Sequence, residues 1–424
     1  MFKQVPVSSL RTGSVLKAPI VDPTNSRIKL LSEGMEVTKA FLDRLRQRGI
    51  DSVAVSTRDL AIQNSFLPQG ISVRVSPPHA YVQSLHVNDH SKAVDARVHS
   101  GEPLHVGDVK DPLLLKVVRP DHDRYEKEMT RQWASDNDRL IQGMAEFADD
   151  LLASKQPKIE PIVSICDELI RKLNEDRDAF MCLASTPFES EYPTRHAMHL
   201  AGVAIIIGLE IGLDHSRIME LGTGCLLHDI GMTEVGLEIF ETKSTLNQRQ
   251  LQHLADHPVH AIGIAGRFED QLSEGTRMVI YQIHERCDRS GYPRGRSGQQ
   301  IHTLAKIAAV ADSYVGMLSR RRHRNGAQGH FVVKQILEEV KAGKLDPTAV
   351  RALLQATSLY PVGSYVETNN EKVGRVVRTN GANFDSPTIE MWDRDQLDRP
   401  PAIVNLTQER DIKIVRSIRV PEAA

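Results

Sequence analysis

Six residues of the kinds that ligate metals or carry protons recur at a regular interval: His196, the pair His228-Asp229, His257, His284 and Asp312. Successive spacings of 32, 29, 27 and 28 residues suit one residue or pair on each successive helix of a bundle. Side chains from facing helices converge in a bundle interior while the backbone stays hydrogen-bonded, so such an interior can hold a two-metal site. Mixed imidazole and carboxylate ligation favours iron, manganese, zinc or similar ions over calcium, with water and substrate oxygens filling the open positions. Each residue alone is weak evidence. Leu221, Cys225 and His228 lie at i, i+4 and i+7, which puts His228 on an apolar face where a lone histidine reads as a core residue. Asp229 changes that reading, because a buried carboxylate beside a buried histidine demands a partner and a metal supplies one.

The elements that must position these residues follow from the patterning. Over 158–356 apolar positions recur at three and four, Pro and Gly fall at segment ends, and no period-2 stretch is sustained, which predicts a wholly helical bundle. After Pro361 the period becomes that of strands: 364–368, 374–379, 388–392, 402–406 and 412–415 predict a small antiparallel β appendage over 357–424. Residues 1–60 read as a small α+β regulatory or docking module, with apolar runs at 15–21 and 27–31 split by a turn. A short helix capped by Thr38 and a return strand at 52–55 complete it. From 61 to 157 the chain reads as an irregular segment followed by a connecting helix. Within 121–153, Met129, Trp133, Leu140, Met144, Phe147 and Leu151 fall at near-heptad intervals. That stripe fits either a homodimer contact or packing on its own domain. The fold class expected is therefore multidomain α+β, with a central all-α bundle flanked by two small modules.

Composition narrows the function classes. At roughly 150 residues per domain, 424 residues predict two or three domains. With 53 Lys+Arg against 55 Asp+Glu, no basic field drives general nucleic-acid binding, although a local basic pocket is compatible with it. No stretch reaches the ~20 apolar residues of a membrane span, and the N-terminus lacks a signal-peptide core, so no membrane association and a cytoplasmic location are expected. Four cysteines without CxxC spacing argue against a zinc ribbon or a disulfide framework.

The block LLHDIG (226–231) followed by HERCDRSGYPRGRSGQQI (284–301) resembles the HD-GYP subgroup of the HD phosphohydrolases, which typically hydrolyse the bacterial second messenger cyclic di-GMP. The resemblance covers about 190–350 with several motifs in the right order. It implies a site holding two divalent ions, iron or manganese, on His196, His228, Asp229, His257, His284 and Asp312, with Asp229 and His228 at the catalytic centre. It also implies that Tyr292 and Arg286 of the GYP block, with Arg321 and Arg324 beyond Asp312, contact the dinucleotide. Guanidinium groups suit that task because they hold phosphate or a guanine edge through paired hydrogen bonds. KLDP (344–347) resembles the family's closing turn. A signalling protein bound through the N-terminal module or the GYP loop is a further expected partner.

Departures from the family pattern are as informative. Ile283 stands where most members have a histidine, and Met232 where they have a lysine. Tyr192 replaces a glutamate that supplies a third metal in some members, Arg289 replaces a glycine and Val315 an aspartate. A third metal is not expected, and the second site is expected to be weak, with His253 and His260 as reserves if they are not simply surface histidines. Three readings follow: a slow metal-dependent phosphodiesterase giving the linear dinucleotide or GMP, a degenerate member that binds metal, nucleotide or a partner without turnover, and an HD hydrolase of another phosphorylated substrate.

Overall fold

The protein is described from a computed structural model covering residues 2–7, 10, 18–23, 28–33, 35, 37–48, 50, 52–56, 83–84, 86–107, 109, 111–113, 127–153, 158–184, 193–235, 247–319 and 327–418. The chain divides into two compact units, Met1–Arg74 and Val75–Ala424.

In the first unit, strands β1 (Phe2–Pro6), β2 (Ile20–Val21), β3 (Lys29–Leu31) and β4 (Ser52–Ser56) form an antiparallel sheet in the order β1-β4-β2-β3. Helix α1 (Lys39–Gln47) is capped by Thr38, whose hydroxyl accepts the Phe41 N–H at 3.1 Å. Phe41, Leu42 and Leu45 share its buried face and pack with Ile20, Val53 and Val55. Strand β1 lay outside the sequence expectation because Lys3-Gln4-Val5-Pro6 has no alternation of its own; its register comes from pairing with β4.

The second unit opens with α2 (Asp89–His99), where the sequence had suggested irregular chain. Its apolar content is slight, and it is held by an Asn88–Ser91 capping box and by long-range contacts to the bundle. Helices α3 (Lys127–Leu152), α4 (Glu160–Glu175) and α5 (Arg177–Ala184) follow. Trp133, Met144, Phe147 and Leu151 of α3 are buried, and α3 packs on α4, α5 and α6 of its own chain. Four residues of the near-heptad stripe are thus covered within the chain, as the alternative of packing on its own domain requires.

Helix α6 (Thr194–Ile211) is apolar nearly all round and buried, so it forms the axis of the bundle. Its run Leu200–Leu213, the most membrane-like stretch of the sequence, is core. No described helix is long and apolar enough to cross a membrane. Around it pack α7 (His215–Leu227), α11 (Thr303–Leu318) and α13 (Pro347–Thr357), while α8 (Met232–Val235), α9 (Gln248–Ala265), α10 (Glu274–Gln282) and α12 (Gly329–Lys341) complete the unit. Side-chain caps set the starts: Asp214 for α7, Asn247 for α9, Ser273 for α10, His302 for α11 and Asp346 for α13. The bundle is not wholly helical, since residues 284–302 form a loop with only one short 3₁₀ turn.

Strands β5 (Tyr365–Thr368), β6 (Val373–Arg378), β7 (Thr388–Trp392), β8 (Ala402–Asn405) and β9 (Ile414–Ile418) form an antiparallel sheet in the order β8-β7-β6-β5-β9. It is tied to the helices by buried charges: Arg378 donates to both Asp176 oxygens at 2.6 and 2.7 Å, and Thr379 donates to Asp178.

Candidate metal centre

Helices α6, α7, α9, α10 and α11 each deliver one part of a single cluster. His196 sits in the first turn of α6, His228 and Asp229 at the end of α7, His257 in α9, His284 just past α10 and Asp312 in α11. His196 Nε2 is 3.2 Å from Asp312 Oδ1, and His284 Nδ1 is 3.3 Å from Asp312 Oδ2. Asp229 Oδ1 lies 3.2 Å from His228 Nε2 and 3.4 Å from His257 Nε2. Ligand atoms of His196, His228 and Asp312 fall within 4.8 Å of one another, as do those of His228, Asp229 and His284. All six residues named from the sequence are therefore brought together.

Local backbone geometry aims the rings. His228 Nδ1–H donates to the Cys225 carbonyl and His257 Nδ1–H to the Leu254 carbonyl, both at 2.7 Å. A carbonyl can only accept, so the proton is on Nδ1 and the Nε2 lone pair faces the cluster. The Nε2 atoms of His228, His257 and His284 are buried and make no hydrogen bond. Four imidazoles and two carboxylates with inward Nε2 atoms left over are a donor set that suits first-row divalent ions.

Electrostatics reinforce this. Burial pushes Asp229 and Asp312 up, but the surrounding histidines outweigh it and hold both carboxyls well below the usual range. His257 is pushed down to about 3 by burial and by neighbouring His284, so it is neutral and able to ligate at neutral pH. His196 is lowered by burial despite Asp312, whereas for His228 the Asp229 carboxylate overcomes burial and raises it.

Close backbone approach explains the glycine of LLHDIG. A Cβ at Gly231 would stand 2.5 Å from Ala261 N and closer still to the His257 carbonyl oxygen, so only glycine lets α9 lie against this turn. Met232, next in sequence, packs in a small apolar cluster with Val235 and Leu254. Ile283 is fully buried. Neither position offers a ligand or a cation.

Over the cluster lies the 284–302 loop. Tyr292 stacks on His284 with ring centroids 4.8 Å apart and meets His257 edge-on at 5.9 Å. Glu285, buried, accepts the N–H groups of Arg294 and Arg296 at 2.8 Å each and so clips the loop from inside. Cys287 N–H donates to the Lys344 carbonyl, which ties the KLDP turn to the same loop. Arg286 donates to Ser313 at 3.1 Å and to the Ile283 and Glu285 carbonyls, with its guanidinium 4.0 Å from Asp312. Arg289 has φ of 71°, a left-handed conformation that glycine adopts without cost. Tyr192, Arg321 and Arg324 lie outside the described residues. His253 is exposed, and His260 pairs with Glu234 at 2.9 Å and stacks on His86, so neither joins the cluster. Glu285 belongs to the GYP block of the sequence, but its role in holding the loop from inside had no signal there. The contacts from α2 had none, since they join residues some 200 positions apart.

Residues 159–349 match the family described as HD domain. The chain is 26% identical over 244 residues to a cyclic di-GMP phosphodiesterase of Pseudomonas aeruginosa, covering 57% of this chain and 58% of that protein. A 3'3'-cGAMP-specific phosphodiesterase of Vibrio cholerae is 26% identical over 186 residues, 43% of this chain and 42% of its own. A solved HDG"Y"P protein from Bdellovibrio bacteriovorus is similar with a TM-score of 0.42 and 14% identity, over 83% of this chain and 98% of that one. The chain spans about half the length of the curated relatives it matches.

Proposed function

Because the chain belongs to the HD-GYP family and carries an HD domain over residues 159–349, we propose that it is a metal-dependent phosphodiesterase that opens cyclic di-GMP slowly, giving the linear dinucleotide or GMP. The observation that carries this reading is the convergence of His196, His228, Asp229, His257, His284 and Asp312 beneath the stacked Tyr292 ring. These six residues would hold two divalent ions, iron or manganese. When bound, such ions supply an activated water and neutralise charge on the phosphodiester. Water would add to phosphorus as the bridging oxygen leaves as an alcohol.

The chain's own residues prepare that reaction in three ways. Asp229 and Asp312 stay ionised at neutral pH because the histidines outweigh their burial, so both present full negative charge to cations. The Nδ1–H bonds of His228 and His257 hold those rings in one tautomer and orientation. Tyr292 offers an aromatic wall beside the cluster on which a base could stack, with Arg286, and Arg321 and Arg324 from the sequence, contacting the dinucleotide.

Buried Ile283 and the apolar packing of Met232 support the qualifier "slowly", and they also favour the second reading, a degenerate protein that binds without turnover. The second metal is expected to be the weaker one. We further assign the first unit a regulatory or docking role toward a signalling partner.

The test is metal content per chain together with turnover of cyclic di-GMP and 3'3'-cGAMP after reconstitution with iron or manganese. Slow, metal-dependent loss of cyclic di-GMP is expected. Full metal occupancy with neither dinucleotide hydrolysed would establish the degenerate reading, and faster turnover of cGAMP would reassign the substrate.

A further inference from the structure

A short segment before the bundle holds the loop that carries Tyr292 from outside. Asp95 of α2 accepts from Arg294 Nε at 3.0 Å, Arg296 Nη2 at 2.5 Å and Tyr281 Oη at 3.2 Å. The remaining Arg294 donors reach the Ser84 carbonyl at 2.7 Å and the His86 carbonyl at 3.1 Å. In return Ser84 N–H donates to the Pro293 carbonyl at 3.0 Å, one residue from Tyr292. The same segment grips α9, the helix of His257: Ser84 Oγ donates to Asp256, Asn88 Nδ2 to the Val259 carbonyl, Gln252 Nε2 to the Gln83 carbonyl, and His86 stacks on His260.

These contacts are more than a packed surface. Arg296 is nearly buried, with its side chain 7% exposed, and Arg294 is 17% exposed, so both guanidinium groups sit where solvent replaces a lost anion poorly. Glu285 holds the backbone of the same two residues from the inner side. The loop is thus fixed between two carboxylates, one on its inner face and one on a separate segment. The outer carboxylate accepts from Arg294, the residue next to Pro293 and two from Tyr292.

We propose that Asp95 is a positioning residue for the Tyr292 loop, and that residues 83–99 act as a strap whose engagement sets how firmly that loop closes over the cluster. The kinetic part rests on the phosphodiesterase reading above; the structural part does not.

The experiment uses the full chain carrying Asp95→Asn, with Arg294→Gln as a second variant that removes loop-to-strap bonds without leaving a buried cation. Amide hydrogen exchange is followed over 285–298 and over the bundle helices, alongside manganese stoichiometry and cyclic di-GMP kinetics. Exchange in the loop is expected to rise at least tenfold, with α6, α7 and α11 and the manganese content unchanged. KM is expected to rise more than tenfold while kcat stays within about threefold. Wild-type exchange in the loop of both folded variants would overturn the proposal. So would equal acceleration in the bundle helices, because Asp95 would then support the whole unit rather than the loop. If the wild-type chain turns nothing over, the phosphodiesterase reading fails while the exchange result still decides the strap.

Discussion

Replacing Gly231 by alanine isolates the close approach that places His257 against Asp229. Gly231 is not among the glycines at positive φ, so an ordinary Gly→Ala change here would stabilise the fold by about 0.4–1 kcal/mol through the unfolded chain. The added Cβ would stand 2.5 Å from Ala261 N, where real Cβ contacts essentially never fall below 3.0 Å, and closer still to the His257 carbonyl oxygen. Both obstacles are backbone of α9, which cannot rotate away as a side chain would. The helix must retreat by about an ångström, and overpacking of this kind costs about 1–3 kcal/mol, enough to reverse the sign. The retreat carries His257 away from Asp229, whose Oδ1 is now 3.4 Å from His257 Nε2. Misplacing a ligand in this way is expected to weaken binding of the ion it holds by about 10–100-fold. Urea denaturation of the metal-free protein reads the first effect and manganese titration the second. A variant more stable than wild type with unchanged manganese affinity would refute the reasoning, because it would show that the turn and α9 are not in register through this contact.

Three further outcomes are expected. Asp176→Ala leaves the buried Arg378 without its carboxylate and strips the acceptor of the Asp178 and Ala179 N–H groups; a loss of about 3–5 kcal/mol in denaturant melts is expected. His302 is pushed down to about 4 by burial, and its Nδ1 accepts the Leu304 N–H that starts α11. The unfolded chain therefore takes up the proton first as pH falls: stability is full above about pH 6.5 and declines toward pH 4, by about 3 kcal/mol for this group. His302→Asn, which keeps a capping acceptor but does not titrate, should flatten that part of the pH profile of the melting temperature. Arg289→Gly relieves a left-handed residue at φ 71° and should stabilise the protein by about 0.5–1 kcal/mol in the same melts; a loss of stability would show that the Arg289 side chain contributes more than its backbone strain costs.

Much of the site was legible along the chain because its chemistry is carried by short, local patterns. The spacing of His196, His228-Asp229, His257, His284 and Asp312 encodes one ligand group per helix, and a helix period fixes which face each one shares. The cap Thr38 and the strand runs after Pro361 were equally local, since caps and alternation act within a few residues. Other features were decided only by the tertiary structure. Helix α2 has too little apolar periodicity to declare itself and takes its place through Asp95 and Asn88, whose partners lie far along the chain. The near-heptad stripe of α3 specified an apolar face but not what would cover it, and the helices of its own chain do so. Gly231 stands out along the chain only as the last residue of LLHDIG; the backbone approach that requires a glycine there exists only once α9 is laid against it. Sequence records what each residue can do with near neighbours; contacts between distant segments depend on how whole elements pack, which no local period encodes.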